Sequence, residues 1–136
     1  MSLIPPVLAL IGWTFVMWVW LYATRIPAVR AARIDLVQVS RTGGQLDLPP
    51  DVTRVADNYN HLHEQPTLFY ALALAAQLAS AVDSASVSLA WVYVALRIVH
   101  SFVQATRNVI IVRFSVFAAA SLVLLLLLLR TVLLMV

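Results

Sequence analysis

The sequence predicts an all-α membrane protein, a single integral-membrane domain over residues 1–136 arranged as a four-transmembrane-helix bundle. Three observations carry that prediction. Hydrophobic residues make up 62% of the chain and charged residues 11%, with a mean hydropathy of +0.93, whereas a soluble surface needs far more charge. Long apolar runs recur, each near the roughly 20 residues that cross a bilayer as a helix. Between them stand short polar segments of turn-forming residues rather than soluble domains.

The first helix is expected over residues 3–23, with Pro5 and Pro6 in its first turn, where backbone N–H groups lack partners anyway. No positive n-region or cleavage site marks it as a signal peptide, so it reads as a retained helix. Trp13, Trp18, Trp20 and Tyr22 give it an aromatic side suited to packing and interface anchoring. A polar connection over residues 24–52 begins helically, then breaks at Gly43-Gly44 and Pro49-Pro50. Arg25, Arg30, Arg33 and Arg41 in it suit lipid phosphates.

The second helix is expected over residues 53–82, capped by Asp51 or Thr53 and bent at Pro66. A tight turn at Val82-Asp83-Ser84 leads to the third helix, residues 85–108, with Asp83 or Ser84 as its cap. The last helix, residues 114–136, is nearly pure Leu, Val, Ala and Phe. Arg130 lies close enough to its far end to snorkel, and no functional role is read for it.

All nine basic residues are arginine. Seven of them lie in or beside the first and third connections, which the positive-inside tendency places in the cytoplasm, with both termini on the non-cytoplasmic side. No basic face on a soluble module exists, so no nucleic-acid partner is expected. Without cysteine, disulfides, thiolate metal sites and a protein thiol nucleophile are excluded.

Two polar stripes stand out against this background. At about 100° per residue, Arg54, Asp57, Asn58, His61, Glu64 and Gln65 share an arc of roughly 120° on the second helix. On the third, Arg97, His100, Ser101, Gln104, Arg107 and Asn108 recur at spacings of three and four, again within about 120°. The arginine count places both stripes at the cytoplasmic side. A few such side chains would be ordinary interhelical hydrogen bonding. A dozen with surplus arginine point instead to a site for a polar, anionic ligand at the membrane surface, because intramembrane ionisable groups are costly to keep. A metal site is not expected: His61 and His63 lie about 160° apart on a helix, and the arginines oppose a cation. A Ser-His-Asp triad is unsupported, since Ser101 adjoins His100 and no nucleophile elbow is present.

The blocks ADNYNHLHEQPTLFYALAL and AWVYVALRIVHSFVQATRNVIIVRF, in that order, resemble the membrane-associated proteins in eicosanoid and glutathione metabolism (MAPEG), in particular their small bacterial branch. The resemblance is strongest from Arg54 to Phe114. It implies a four-helix protomer, a homotrimer in a bacterial inner membrane, and glutathione as co-substrate at the cytoplasmic ends of the second and third helices. A lipophilic small molecule would arrive from the bilayer lipids. Carried over by residue, Glu64 matches a glutamate that partners the glutathione amino group and Arg97 matches a helix-three arginine. Arg113 is the candidate for stabilising the thiolate. Arg54, Asn58, His61, His100, Gln104, Arg107 and Asn108 complete the expected ligand shell. The pattern departs from the family where Asp57 replaces an arginine, His61 an asparagine, and His100 and Gln104 replace tyrosines. Small residues at Ala71, Ala75, Ala76 and Ala79 permit close helix packing without fixing a number of subunits.

Three functions of different classes follow. One is a glutathione-dependent transferase or peroxidase acting on lipophilic electrophiles. Another is a non-catalytic membrane protein that binds a lipid or amphiphile, or serves as an accessory subunit of a larger complex. The third, a transporter, needs a continuous polar path, and the apolar far halves of the helices oppose it.

Overall fold

A computed structural model describes residues 1–44 and 46–136. It contains six helices: α1 (Ile4–Ala31), α2 (Leu36–Thr42), α3 (Pro50–His61), α4 (Gln65–Leu78), α5 (Ser84–Ala105) and α6 (Ile110–Met135). Among the described residues, α1, α5 and α6 are long and apolar enough to cross a bilayer. The chain is all-helical, as expected, but the expected second span differs. It is not one helix over residues 53–82; it is split into α3 and α4 by residues 62–64 and ends at Leu78. With 14 residues, α4 is about 21 Å long, short of the ~30 Å hydrocarbon core.

Proline causes the split. Within a continuous helix, Pro66 would leave the Leu62 carbonyl without its donor and drive its ring into that carbonyl. The chain instead ends α3 at His61 and restarts, with Pro66 in the first turn of α4, where it needs no N–H. The break therefore lies a turn before the expected bend. Pro50 starts α3 in the same way. Neither Asp51 nor Thr53 caps it: Thr53 Oγ1 donates to the Pro49 carbonyl at 3.2 Å, and Pro49 holds the N-cap position without a side-chain bond.

Other boundaries shift by a few residues. Helix α1 runs through Pro27 to Ala31, so the first helix extends into the expected connection. Asp35 then caps α2, its Oδ1 accepting from Val37 N at 2.9 Å and Gln38 N at 3.2 Å. Gly43, at φ +65°, ends α2 in the left-handed conformation that glycine adopts without strain. Helix α5 stops at Ala105, and α6 begins at Ile110 rather than 114.

Two apolar clusters hold the bundle. In one, Leu3 before α1 and Val7 and Leu10 of α1 meet Phe69, Ala73 and Ala76 of α4, Tyr93 and Val94 of α5, and Leu124 and Leu127 of α6. In the other, Met17 and Leu21 of α1 pack with Val55, Leu62 and Ala105. Of the four alanines expected to permit close packing, only Ala76 is buried. The outward faces of α1 and α6 expose Leu8, Phe15, Val19, Phe114, Leu122, Leu126 and Leu133, a surface suited to lipid tails or further helices.

One end of the bundle is tied by polar bonds. Leu3 N donates to Gln77 Oε1 at 2.8 Å. Arg130 does not snorkel: its guanidinium grips Asp83, Nε to Oδ1 at 2.9 Å and Nη2 to Oδ2. Asp83 also caps α5, accepting from Ser86 N at 2.8 Å. The Arg130 hydrogen bonds, then the Ser86 N–H, hold the Asp83 carboxyl well below the usual carboxylate range. A depressed folded pKa stabilises the fold above the unfolded value near 3.9 and loses that contribution only as pH falls through the folded value. Asp83→Asn keeps a capping side chain and removes the charge pair. Its melting temperature is therefore expected to fall by a few degrees at neutral pH, the difference closing only in strong acid. A difference that persists unchanged at the lowest pH would show that the pair contributes nothing.

Candidate functional site

The buried face of α5 runs through Ala90, Tyr93 and Val94, then Arg97, His100, Ser101, Gln104 and Ala105. Its spacing of three and four never changes, but between the two apolar clusters its chemistry turns polar. Opposite it, α3 contributes Asn58 and His61, the linker Glu64, and α6 Arg113 and Phe117.

Arg97 is the centre of this arrangement. It is 0% exposed. Its Nη2 donates to the His61 carbonyl at 3.1 Å, at the end of α3, where that oxygen also accepts from the Glu64 N–H at 3.4 Å. Its Nε and Nη1 have no partner, and no carboxylate lies within 4.0 Å of it among the described residues. The guanidinium carbon stands 5.8 Å from the centre of the Phe117 ring. The His61 and His100 rings are stacked, with centroids 5.1 Å apart and planes 25° apart. Phe117 packs 5.4 Å from His61 and 6.0 Å from His100.

Further buried polar atoms lack partners: both amide atoms of Asn58, His100 Nδ1, Ser101 Oγ, Gln104 Oε1 and Trp13 Nε1. Each such atom costs about 1–3 kcal/mol when unsatisfied, and native interiors seldom carry several together. A polar guest or ordered water is the physical remedy. Two of these residues, His100 and Gln104, line a cavity of about 250 Å³ together with His61, Arg113, Ile110, Phe114 and Phe117. At its rim, His61 Nδ1 stands 2.8 Å from Glu64 Oε2. Arg113 Nη1 donates to Asn108 Oδ1 at 2.9 Å, and Asn108 holds φ +50°, a conformation asparagine tolerates better than most residues.

The cavity thus brings together His61, His100, Gln104 and Arg113; Glu64 joins through the His61 ring and Arg97 through the His61 carbonyl, while Asn58 is buried on α3 and is not among the lining residues. Asn108 reaches the cavity only through Arg113. Two expected members lie elsewhere. Arg54 Nη1 donates to the Thr106 carbonyl at 3.0 Å, so it closes the C-terminus of α5. Arg107 is exposed and borders a different, apolar groove with Phe102, Val109 and Val112. Both departures trace to the end of α5 at Ala105: it leaves the Thr106 carbonyl for Arg54 to bind and puts Arg107 beyond the helical stripe. Asp57 is exposed as well.

Sequence reasoning missed Phe117 and Tyr93. Phe117 sits in an apolar run and gives no signal of its own. The Tyr93 hydroxyl donates to Gln65 Oε1 at 3.3 Å, and Gln65 Nε2 donates to Ser121 Oγ at 2.7 Å. Gln65 therefore joins α4, α5 and α6 rather than the cavity. Among the described residues no three His, Asp or Glu side chains gather as a metal site. A second, mostly apolar groove of about 420 Å³ lies on the α1 side, between Ile11, Phe15 and Trp18 of α1 and Tyr59, Leu62 and Tyr70.

A family model described as the MAPEG family matches residues 3–133, nearly the whole chain. No curated protein and no solved structure matches the chain.

Proposed function

Because the chain belongs to the MAPEG family and is an integral membrane protein, we propose that it holds glutathione in the α3–α5–α6 cavity. There it would transfer the thiol to, or reduce, a lipophilic electrophile. The observation that carries this reading is Arg97, a fully buried guanidinium bound to the carbonyl of the cavity-lining His61, with two unpartnered nitrogens and no carboxylate within 4.0 Å among the described residues. A buried charge left alone costs several kcal/mol. Glutathione brings two carboxylates and one ammonium, and planar guanidinium groups bind carboxylates bidentately. Gln104, whose Oε1 is buried without a partner, lines the cavity and suits a peptide N–H, so the residues present fit the co-substrate.

Arg113, on the cavity wall, would stabilise a thiolate, since a neighbouring guanidinium lowers a thiol pKa from about 8.5 toward neutrality. Glu64 has one carboxylate oxygen beside His61 and the other free for the ammonium. The assembly we propose is a homotrimer in a bacterial inner membrane with the cavity toward the cytoplasm. It would cover part of the exposed apolar surface of α1 and α6.

The test is a melting curve of the detergent-purified protein with and without millimolar glutathione. A ligand at a hundredfold excess over its Kd stabilises the folded state by about 2.7 kcal/mol, a shift of several degrees. An unchanged melting temperature would retire the glutathione reading. The apolar groove beside Trp18 favours the second reading, a non-catalytic protein that binds an amphiphile. In that case a fatty acid, and not glutathione, would raise the melting temperature.

A further inference from the structure

We infer that His61, held by Glu64, is the base that removes the thiol proton in this cavity. The inference rests on the glutathione reading above and deepens it. An imidazole with a carboxylate at one nitrogen and reacting space at the other is the general arrangement of an activated nucleophile. Here His61 Nδ1 lies 2.8 Å from Glu64 Oε2, and its ring lines the cavity. Nε2 accepts no hydrogen bond from any described residue. The placement follows from the chain break: His61 is the last residue of α3 and Glu64 the residue before α4, so Pro66 brings the two together. Arg97 holds the His61 carbonyl, and His100 and Phe117 pack on the ring, fixing its plane.

His100 does not fill the same role. It is 1% exposed, its Nδ1 is buried without a partner, and no carboxylate accompanies it. The charged and titratable groups around His61 are Glu64 before α4, Arg97 and His100 on α5, and Arg113 on α6. On α3 itself, Asp57 is exposed and Arg54 is bound to the Thr106 carbonyl.

With an α,β-unsaturated aldehyde as acceptor, the step balances without a further reactant. His61 Nε2 takes the S–H proton, and the sulfur lone pair forms a C–S bond at the β-carbon as the π electrons move toward the carbonyl. The imidazolium returns the proton to the resulting enolate. Arg113, on the same cavity wall, stabilises the thiolate between the two events.

The test uses the full chain in detergent, with glutathione and nonenal as probes, on wild type, His61→Gln, Glu64→Gln and the double variant. Positioned general bases contribute about 10²–10⁴-fold. His61→Gln is therefore expected to lower kcat about 100-fold or more while the stabilisation by glutathione persists. The acid limb of its pH–rate profile should disappear. Glu64→Gln should move that limb to lower pH, because a lost carboxylate weakens proton binding by the imidazole. The double variant should be no slower than His61→Gln, since the pair acts as one unit. A wild-type limb or kcat in His61→Gln overturns the assignment even where glutathione binds. Should His61→Gln fail to fold, an unmoved limb in Glu64→Gln does the same. No glutathione stabilisation in wild type overturns the reading of the cavity, and the base with it.

Discussion

Arg97→Met is expected to raise the melting temperature of the ligand-free protein while abolishing its stabilisation by glutathione. Removing a side chain from a packed interior normally destabilises, so the sign is informative. Arg97 holds a full charge at 0% exposure with one hydrogen bond, to the His61 carbonyl. Replacing buried charges by apolar groups of similar volume is often stabilising by about 1–4 kcal/mol. The lost hydrogen bond subtracts roughly 1 kcal/mol. A net gain of about 0–3 kcal/mol corresponds to a rise of up to roughly 12 °C for a chain of this size. The gain applies only without ligand; with millimolar glutathione, wild type should overtake the variant. Arg97→Lys keeps the charge but not the planar fork, so it should retain the ligand-free penalty and lose most of the glutathione effect. A lower melting temperature for ligand-free Arg97→Met would mean that the guanidinium is already satisfied in the resting protein and awaits no anion.

Arg113→Ala is expected to lower turnover about 10- to 100-fold, the range of one hydrogen bond to a charged group, while leaving glutathione stabilisation largely intact. Arg113 lines the cavity and is held by Asn108; on the proposed reading its contribution would be to the sulfur rather than to the body of the tripeptide. Asn108→Gly keeps the left-handed backbone available and frees Arg113 from its tether, so its effect should be in the same direction and smaller. Equal losses of binding and turnover in Arg113→Ala would make it a binding residue and remove it from the chemistry.

Much of this molecule is legible in its residues because its solvent is the bilayer. Apolar runs long enough to cross it locate α1, α5 and α6 directly. The stripe Arg97, His100, Gln104 is legible because a helix turns 100° per residue whatever surrounds it. Asp83 as the cap of α5 and the break at Gly43 follow from equally local chemistry. The partners of those residues are not local. Nothing in the spacing of Arg130 shows that it grips Asp83, 47 positions away. Nor does it show that Arg54 is used up on the end of α5 or that Phe117 forms a wall of the cavity.

The sequence by itself determined that this chain is helical, membrane-embedded and built around a polar face rich in arginine. Helical periodicity and hydropathy are properties of consecutive residues, and a family pattern is read along the same line. Only the tertiary structure decided which members of the stripes meet. It ends α3 at His61, which sets His61 beside Glu64, and α5 at Ala105, which leaves the Thr106 carbonyl to Arg54 and takes Arg107 and Asn108 off the stripe. It also leaves Arg97 without an acid. Those outcomes depend on where helices stop and how they cross, and therefore on contacts between residues far apart in the chain.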